Sequence, residues 1–141
     1  MTQLKMTSGS FEFIVQMEEG KAPESCKWFL TQLPFKTVMI QGAWSGNAVF
    51  SDLNGIAKEV PYESATSYPI PGQILLYSGD EKGNTGEIYI AYGGNRFACP
   101  RGQLAGNHFL TIEKGGEQLQ EFGRTVRWNG AQEIVFELME D

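Results

Sequence analysis

A chain of 141 residues that is 41% hydrophobic, 12% aromatic and 20% charged has the size and composition of one globular domain with its own core, which excludes a disordered tail. A formal charge of −6, from 11 basic and 17 acidic residues, excludes the basic footprint that a nucleic-acid backbone requires. No apolar run reaches the ~18 residues needed to span a bilayer, and the polar start MTQLKMTSGS lacks the apolar centre of a secretory signal, so the expectation is a cytoplasmic protein with no membrane partner.

The first regular element is a strand. Phe11, Phe13, Val15 and Met17 alternate with Glu12, Ile14, Gln16 and Glu18, which puts one face in a core, and Glu19-Gly20 ends the run. Ala22, Cys26, Phe29, Leu30 and Leu33 then recur at helical spacing, with Pro23 in the first turn and Pro34 as the stop. PFKTVMIQGAW and NAVFSDL read as two strands of a hairpin joined at Ser45, Gly46 and Asn47. Asn54 to Ser67 has no clear period and holds Pro61, so it reads as an irregular connection. Strands beginning at Gln73, Glu87 and Asn107 follow, then EQLQEF as a short helix capped by Gly123, and AQEIVFELM as a last strand. About eight strands and two helices, with no repeat and no strand-helix-strand alternation, point to a mainly antiparallel barrel or sandwich, and 17 glycines for its corners favour the closed barrel.

Few residues point to chemistry. His108 is the only histidine, and simple alternation places it on one strand face with Leu110 and Ile112, directed to the barrel interior or mouth. It reads either as a hydrogen-bonded core histidine or as a ligand contact. With one imidazole and only Asp or Glu to join it, a metal site is not expected. Arg96 in the GGNRF turn could reach over a barrel mouth to a carboxylate, and Trp44, beside Ser45-Gly46, is the aromatic most suited to a pocket. Glu87 and Glu133 open two strands, yet nothing in their spacing pairs them as acid and base. Gly93-Gly94 lacks the Lys-Ser or Lys-Thr of a phosphate loop. Cys26 and Cys99, far apart and outside any CxxC or CxxxH pattern, are expected as free thiols.

Four blocks carry a family resemblance: YPIPGQILLY (68–77), EIYIAYG (87–93), AGNHFLTI (105–112) and WNGAQEIVFE (128–137). In that order they resemble a bacterial family of uncharacterised proteins, the domain of unknown function 3830, from about Phe11 to Phe136. Trp44-Ser45-Gly46 after PFKTV, with PGQILLY, is also similar to smaller cyclophilin-like proteins. The resemblance implies a closed cyclophilin-like antiparallel β-barrel of about eight strands with two short helices, forming a single domain over residues 1–141, and it brings no established activity.

MIQGAW resembles the Met-x-Gln-Gly-Gly segment of the peptidyl-prolyl isomerases, and GNHFLT resembles their Gly-Ser-Gln-Phe-Phe block. Those enzymes place the arginine of a Phe-His-Arg motif just before the glutamine, where this chain has Leu33-Pro34-Phe35-Lys36-Thr37. Against an isomerisation barrier of about 18–20 kcal/mol, the missing guanidinium argues against that activity. The resulting expectation is a small organic acid or amide held at one barrel end by Trp44, Arg96, Asn107 and His108, with no cofactor and no metal. The rivals are an enzyme or enzyme accessory acting on cyclic amides, which is implied by related cyclophilin-like domains, and a weak isomerase or peptide-binding protein. The oligomeric state stays open, a homo-oligomer included.

Overall fold

Alternating strands become the staves of one sheet that closes on itself. The computed structural model describes residues 1–139, in which β1 (Gln3–Ser8), β2 (Phe11–Met17), β3 (Phe35–Gln41) and β4 (Gly46–Asp52) are followed by a two-residue β5 (Ala65–Thr66). Then come β6 (Gln73–Tyr77), β7 (Glu87–Asn95), a small ribbon of β8 (Ala98–Cys99) and β9 (Gly102–Gln103), β10 (Gly106–Lys114) and β11 (Gln132–Leu138). The eight long strands run in the order β2-β1-β11-β3-β4-β7-β6-β10, and β2 pairs with β10 to close the ring. Every pairing is antiparallel.

Each end of the barrel is plugged by a helix. Helix α1 (Pro23–Gln32) presents Phe29, whose ring meets Phe35, Phe109 and Phe136 at 5.6, 5.3 and 5.2 Å. Helix α2 (Leu119–Asn129) presents Phe122, which meets Phe11 and Phe13 edge-on at 5.8 and 6.0 Å at the opposite end. Each fully buried ring is worth ~1.5–3 kcal/mol, and the edge-on geometry adds to it. The two plugs and the inward strand faces form one core. A second apolar cluster of Ala48, Phe50, Leu75, Tyr77, Tyr89, Ala91 and Phe97 lies on the outer side of β4, β7 and β6, with Leu104 packed against it.

Three details depart from the alternation read in the sequence. Strand β1 was hidden in the polar start, because only Leu4 and Met6 face the core while Gln3, Lys5 and Thr7 are half-exposed. The hairpin bends earlier than expected, through Gly42 to Ser45, and Gly46 already belongs to β4. Helix α2 does not end at Gly123 but runs to Asn129 and is closed by Gly130 at φ 93°, where Gly130 N–H reaches the Val126 carbonyl. Gly123 is instead a contact point: a Cβ there would lie 2.2 Å from the Tyr92 ring, so only glycine lets the helix sit on the barrel mouth.

Among the described residues, no helix is long and apolar enough to cross a membrane, and no cluster of three or more His, Cys, Asp or Glu side chains could hold a metal ion.

Candidate functional site

The four residues singled out from the sequence divide into two pairs. Trp44 and Arg96 occupy neighbouring turns at the α2 end of the barrel, since Gly46 pairs with Asn95 and Arg96 N–H donates to the Ser45 carbonyl at 2.9 Å. The Trp44 ring is 46% exposed and rests on Phe50 at 5.8 Å, while the Arg96 side chain is exposed.

Asn107 and His108 lie toward α1. The Asn107 amide donates to Ser25 Oγ at 2.9 Å and to the Pro61 carbonyl at 2.8 Å, and its carbonyl accepts from Glu63 N–H at 2.8 Å. Glu63 in turn accepts from the backbone of Glu24 and Ser25, so it caps α1 from a distant loop. Asn107 therefore ties the irregular connection to the helix.

His108 does not share a face with Leu110 and Ile112. A bulge lets both Phe109 and Leu110 enter the core, and it leaves His108 opposite Leu75 on the outer side. Thr111, the next outward residue, donates its hydroxyl proton to Glu18 Oε2 at 2.6 Å. A hydroxyl has one proton, so at 2.7 Å Thr111 Oγ1 must accept from His108 Nε2, which fixes the tautomer. Burial and the charge of Lys21 pull the His108 ring below its ordinary value, against the attraction of Glu18. Across the outer face, Phe50, Tyr89, Leu75 and His108 follow one another on four adjacent strands. Three strand spacings of ~4.8 Å put His108 about 14 Å from the Phe50 row that carries Trp44.

The two glutamates also part company. Glu133 is exposed and paired with Lys36 at 3.4 Å, whereas Glu87 is 8% exposed and its carboxyl is pushed up to about 7 by burial and by the neighbouring Asp52 charge.

A recess of about 330 Å³ opens at the α2 end, three residues beyond Trp44 in β4 and three before Arg96 in β7. Its floor is Asn47, Tyr92 and Gly93, and its wall is one stripe of α2 carrying Gln120, Arg124, Arg127 and Trp128. The Tyr92 hydroxyl is already committed to Gln41 Oε1 at 2.8 Å. Among the described residues, the three salt bridges involve neither Arg124 nor Arg127, and the amides of Asn47 and Gln120 make no hydrogen bond. Arg127 lies over the Trp128 ring at 5.2 Å, and that ring is 75% exposed. The arrangement leaves guanidinium donors and carboxamides without polar side-chain partners among the described residues. Sequence reasoning missed the stripe because it ended the helix at Gly123; spacing of i, i+4, i+7 and i+8 from Gln120 was the available signal.

With this geometry in hand, residues 4–138 match the family model described as protein of unknown function, DUF3830. The chain belongs to the DUF3830 family. A comparison of this DUF3830 chain with curated proteins finds no match. Among solved structures it is similar to McbB in complex with tryptophan, with a TM-score of 0.77 and 14% identity over 99% of this chain and 45% of that one. The DUF3830 chain thus spans less than half the length of McbB. It is also similar to a hypothetical protein from Archaeoglobus fulgidus, with a TM-score of 0.59 and 17% identity over 98% and 95% of the two chains. A cyclophilin-type peptidyl-prolyl isomerase from Cryptosporidium parvum, in the presence of the dipeptide Ala-Pro, matches with a TM-score of 0.60 and 13% identity over 99% of both chains. At these identities the neighbours establish a shared cyclophilin-like barrel and no activity.

Proposed function

We propose that this DUF3830 protein binds a small organic acid in the recess beneath α2, with Trp44 and Arg96 at its margin. The observation that carries the reading is the pair Arg124 and Arg127, both facing one recess without a carboxylate partner among the described residues, on a chain whose net charge is −6. Two unneutralised guanidiniums close together repel each other and attract an anion, and their planar forks suit a carboxylate. The recess is at the small end of the volume range for ligand sites. McbB, alike in fold alone, is in complex with tryptophan, itself a carboxylate. Asn107 and His108 stay outside this site, since their hydrogen bonds serve the α1 end.

The test is a thermal-shift screen of small carboxylates at neutral pH. A ligand at a hundred times its Kd stabilises the fold by ~2.7 kcal/mol, which is readily seen as a higher Tm. Changing both Arg124→Gln and Arg127→Gln should remove that shift and leave the unliganded Tm unaltered, because both side chains are exposed. A carboxylate shift that survives in the double variant would place the site elsewhere. The rival readings, an enzyme or accessory acting on cyclic amides and a prolyl isomerase, predict turnover rather than a shift and are tested by assaying for it.

A further inference from the structure

We infer that the occupant of this recess is an amide-acid, a short molecule with a carboxylate at one end and a primary carboxamide or urea at the other; the inference rests on the recess being a ligand site. Two kinds of polar side chain in its lining decide what it can take. Arg124 and Arg127 can only donate, so they call for an anion. Asn47 and Gln120 each carry a donor and an acceptor, and with the Tyr92 hydroxyl committed to Gln41 and the Trp128 indole able only to donate, they are the carboxamides of the recess.

The two kinds are spread along the helix. Gln120 lies one turn before Arg124 and two turns before Arg127, a rise of ~10 Å along α2 at ~1.5 Å per residue. Asn47 forms the floor opposite, held beside Gly93, where a Cβ would come within 2.9 Å of it. A diacid would satisfy the guanidiniums but bring a second anion to carboxamides whose carbonyls then have no donor to accept from. A diamide would satisfy Asn47 and Gln120 but leave two adjacent cations without a counter-charge. A carboxylate joined to a carboxamide fills both roles, since a primary amide donates and accepts at once. The exposed Trp128 ring supplies an apolar wall for the connecting carbons.

The experiment is calorimetric titration of the full chain with three molecules of equal length: glutarate, its monoamide glutaramate, and glutaramide. Glutaramate is expected to bind about tenfold more tightly than either of the others. Asn47→Ala and, separately, Gln120→Ala should erase its advantage over butyrate while leaving carboxylate binding in place. Circular dichroism confirms that each variant is folded, and the exposed Gln120 serves as the control should Asn47→Ala fail to fold. Glutarate binding as tightly as glutaramate, or an advantage untouched by both amide variants, would overturn the amide-acid and leave the acid site standing. No binding by any of the three would overturn the site as well.

Discussion

Glu87 illustrates how a single carboxyl can set the pH response of a barrel. It sits on the outer side of β7 between Asp52 of β4 and Tyr77 of β6, with little contact with water. Burial, with the Asp52 charge, favours its protonated form and moves the carboxyl from 4.5 to about 7. The sign follows directly: the folded state holds the proton more tightly than the unfolded one, so stability is fullest below about pH 4.5 and is lost as pH rises to about 7. At ~1.4 kcal/mol for each pH unit, the loss is of order 3 kcal/mol. Denaturation of wild type and Glu87→Gln across pH 5–8 should show wild type losing ground steadily to the variant; a constant difference would mean a solvated carboxyl. His108 works the other way, since its depressed ring adds stability as pH rises toward 6.5, and subtraction of the two curves cancels it. Its ring also supports Thr111, so His108→Ala should lower the unliganded Tm by the equivalent of ~1–3 kcal/mol without weakening a carboxylate bound at the α2 end. The two cysteines are free, and the Cys26 thiol is pushed up to about 12, first by burial and then by nearby acidic residues. Both should react with a thiol reagent after denaturation without reduction, and Cys26 should resist it in the native protein; counting no free thiol would contradict the structure.

Among the elements, α2 depends most on one residue. Alanine at Gly123 would gain ~1 kcal/mol of helix propensity, yet its Cβ would meet three Tyr92 ring atoms at 2.2–2.4 Å. Overpacking of this kind costs ~1–3 kcal/mol, so Gly123→Ala should lower the Tm, and adding Tyr92→Leu should recover part of the loss. A single variant as stable as wild type would show that the helix can ride up at no cost. The same glycine explains where reading the sequence failed. Strands β2, β6, β7, β10 and β11 and helix α1 were legible because long apolar periods are intrinsic to them. Gly123 looked like a cap because propensity knows nothing of a tyrosine from another strand. The bulge at Phe109 was invisible for a related reason, as it is set by pairing with β6 rather than by β10 itself. It reversed the face assigned to His108. Trp44 and Arg96 lie at the barrel end that carries the recess without lining it, while its floor residue Asn47 joins α2 only through the fold.

At the scale of the whole molecule, the barrel resembles an isomerase without its key group. Lys36 points outward from β3 into an ion pair with Glu133, and Thr37 is hydrogen-bonded to Ser51, so no guanidinium stands on that strand. A protease-coupled assay on an Xaa-Pro peptide should give the uncatalysed rate; cyclophilin-like acceleration would restore the isomerase reading. The ring of staves has another consequence, for the order in which it can be built. Strand β11 lies between β1 and β3, pairing Leu4 with Leu138 and Phe35 with Phe136. A growing chain that has delivered β1 to β10 holds an open sheet with two raw edges, and the missing stave arrives last. Because the first and last strands are neighbours, a circularly permuted chain that joins them and opens at the 78–86 loop would keep every stave pairing, and it would deliver β11 and β1 together in mid-synthesis.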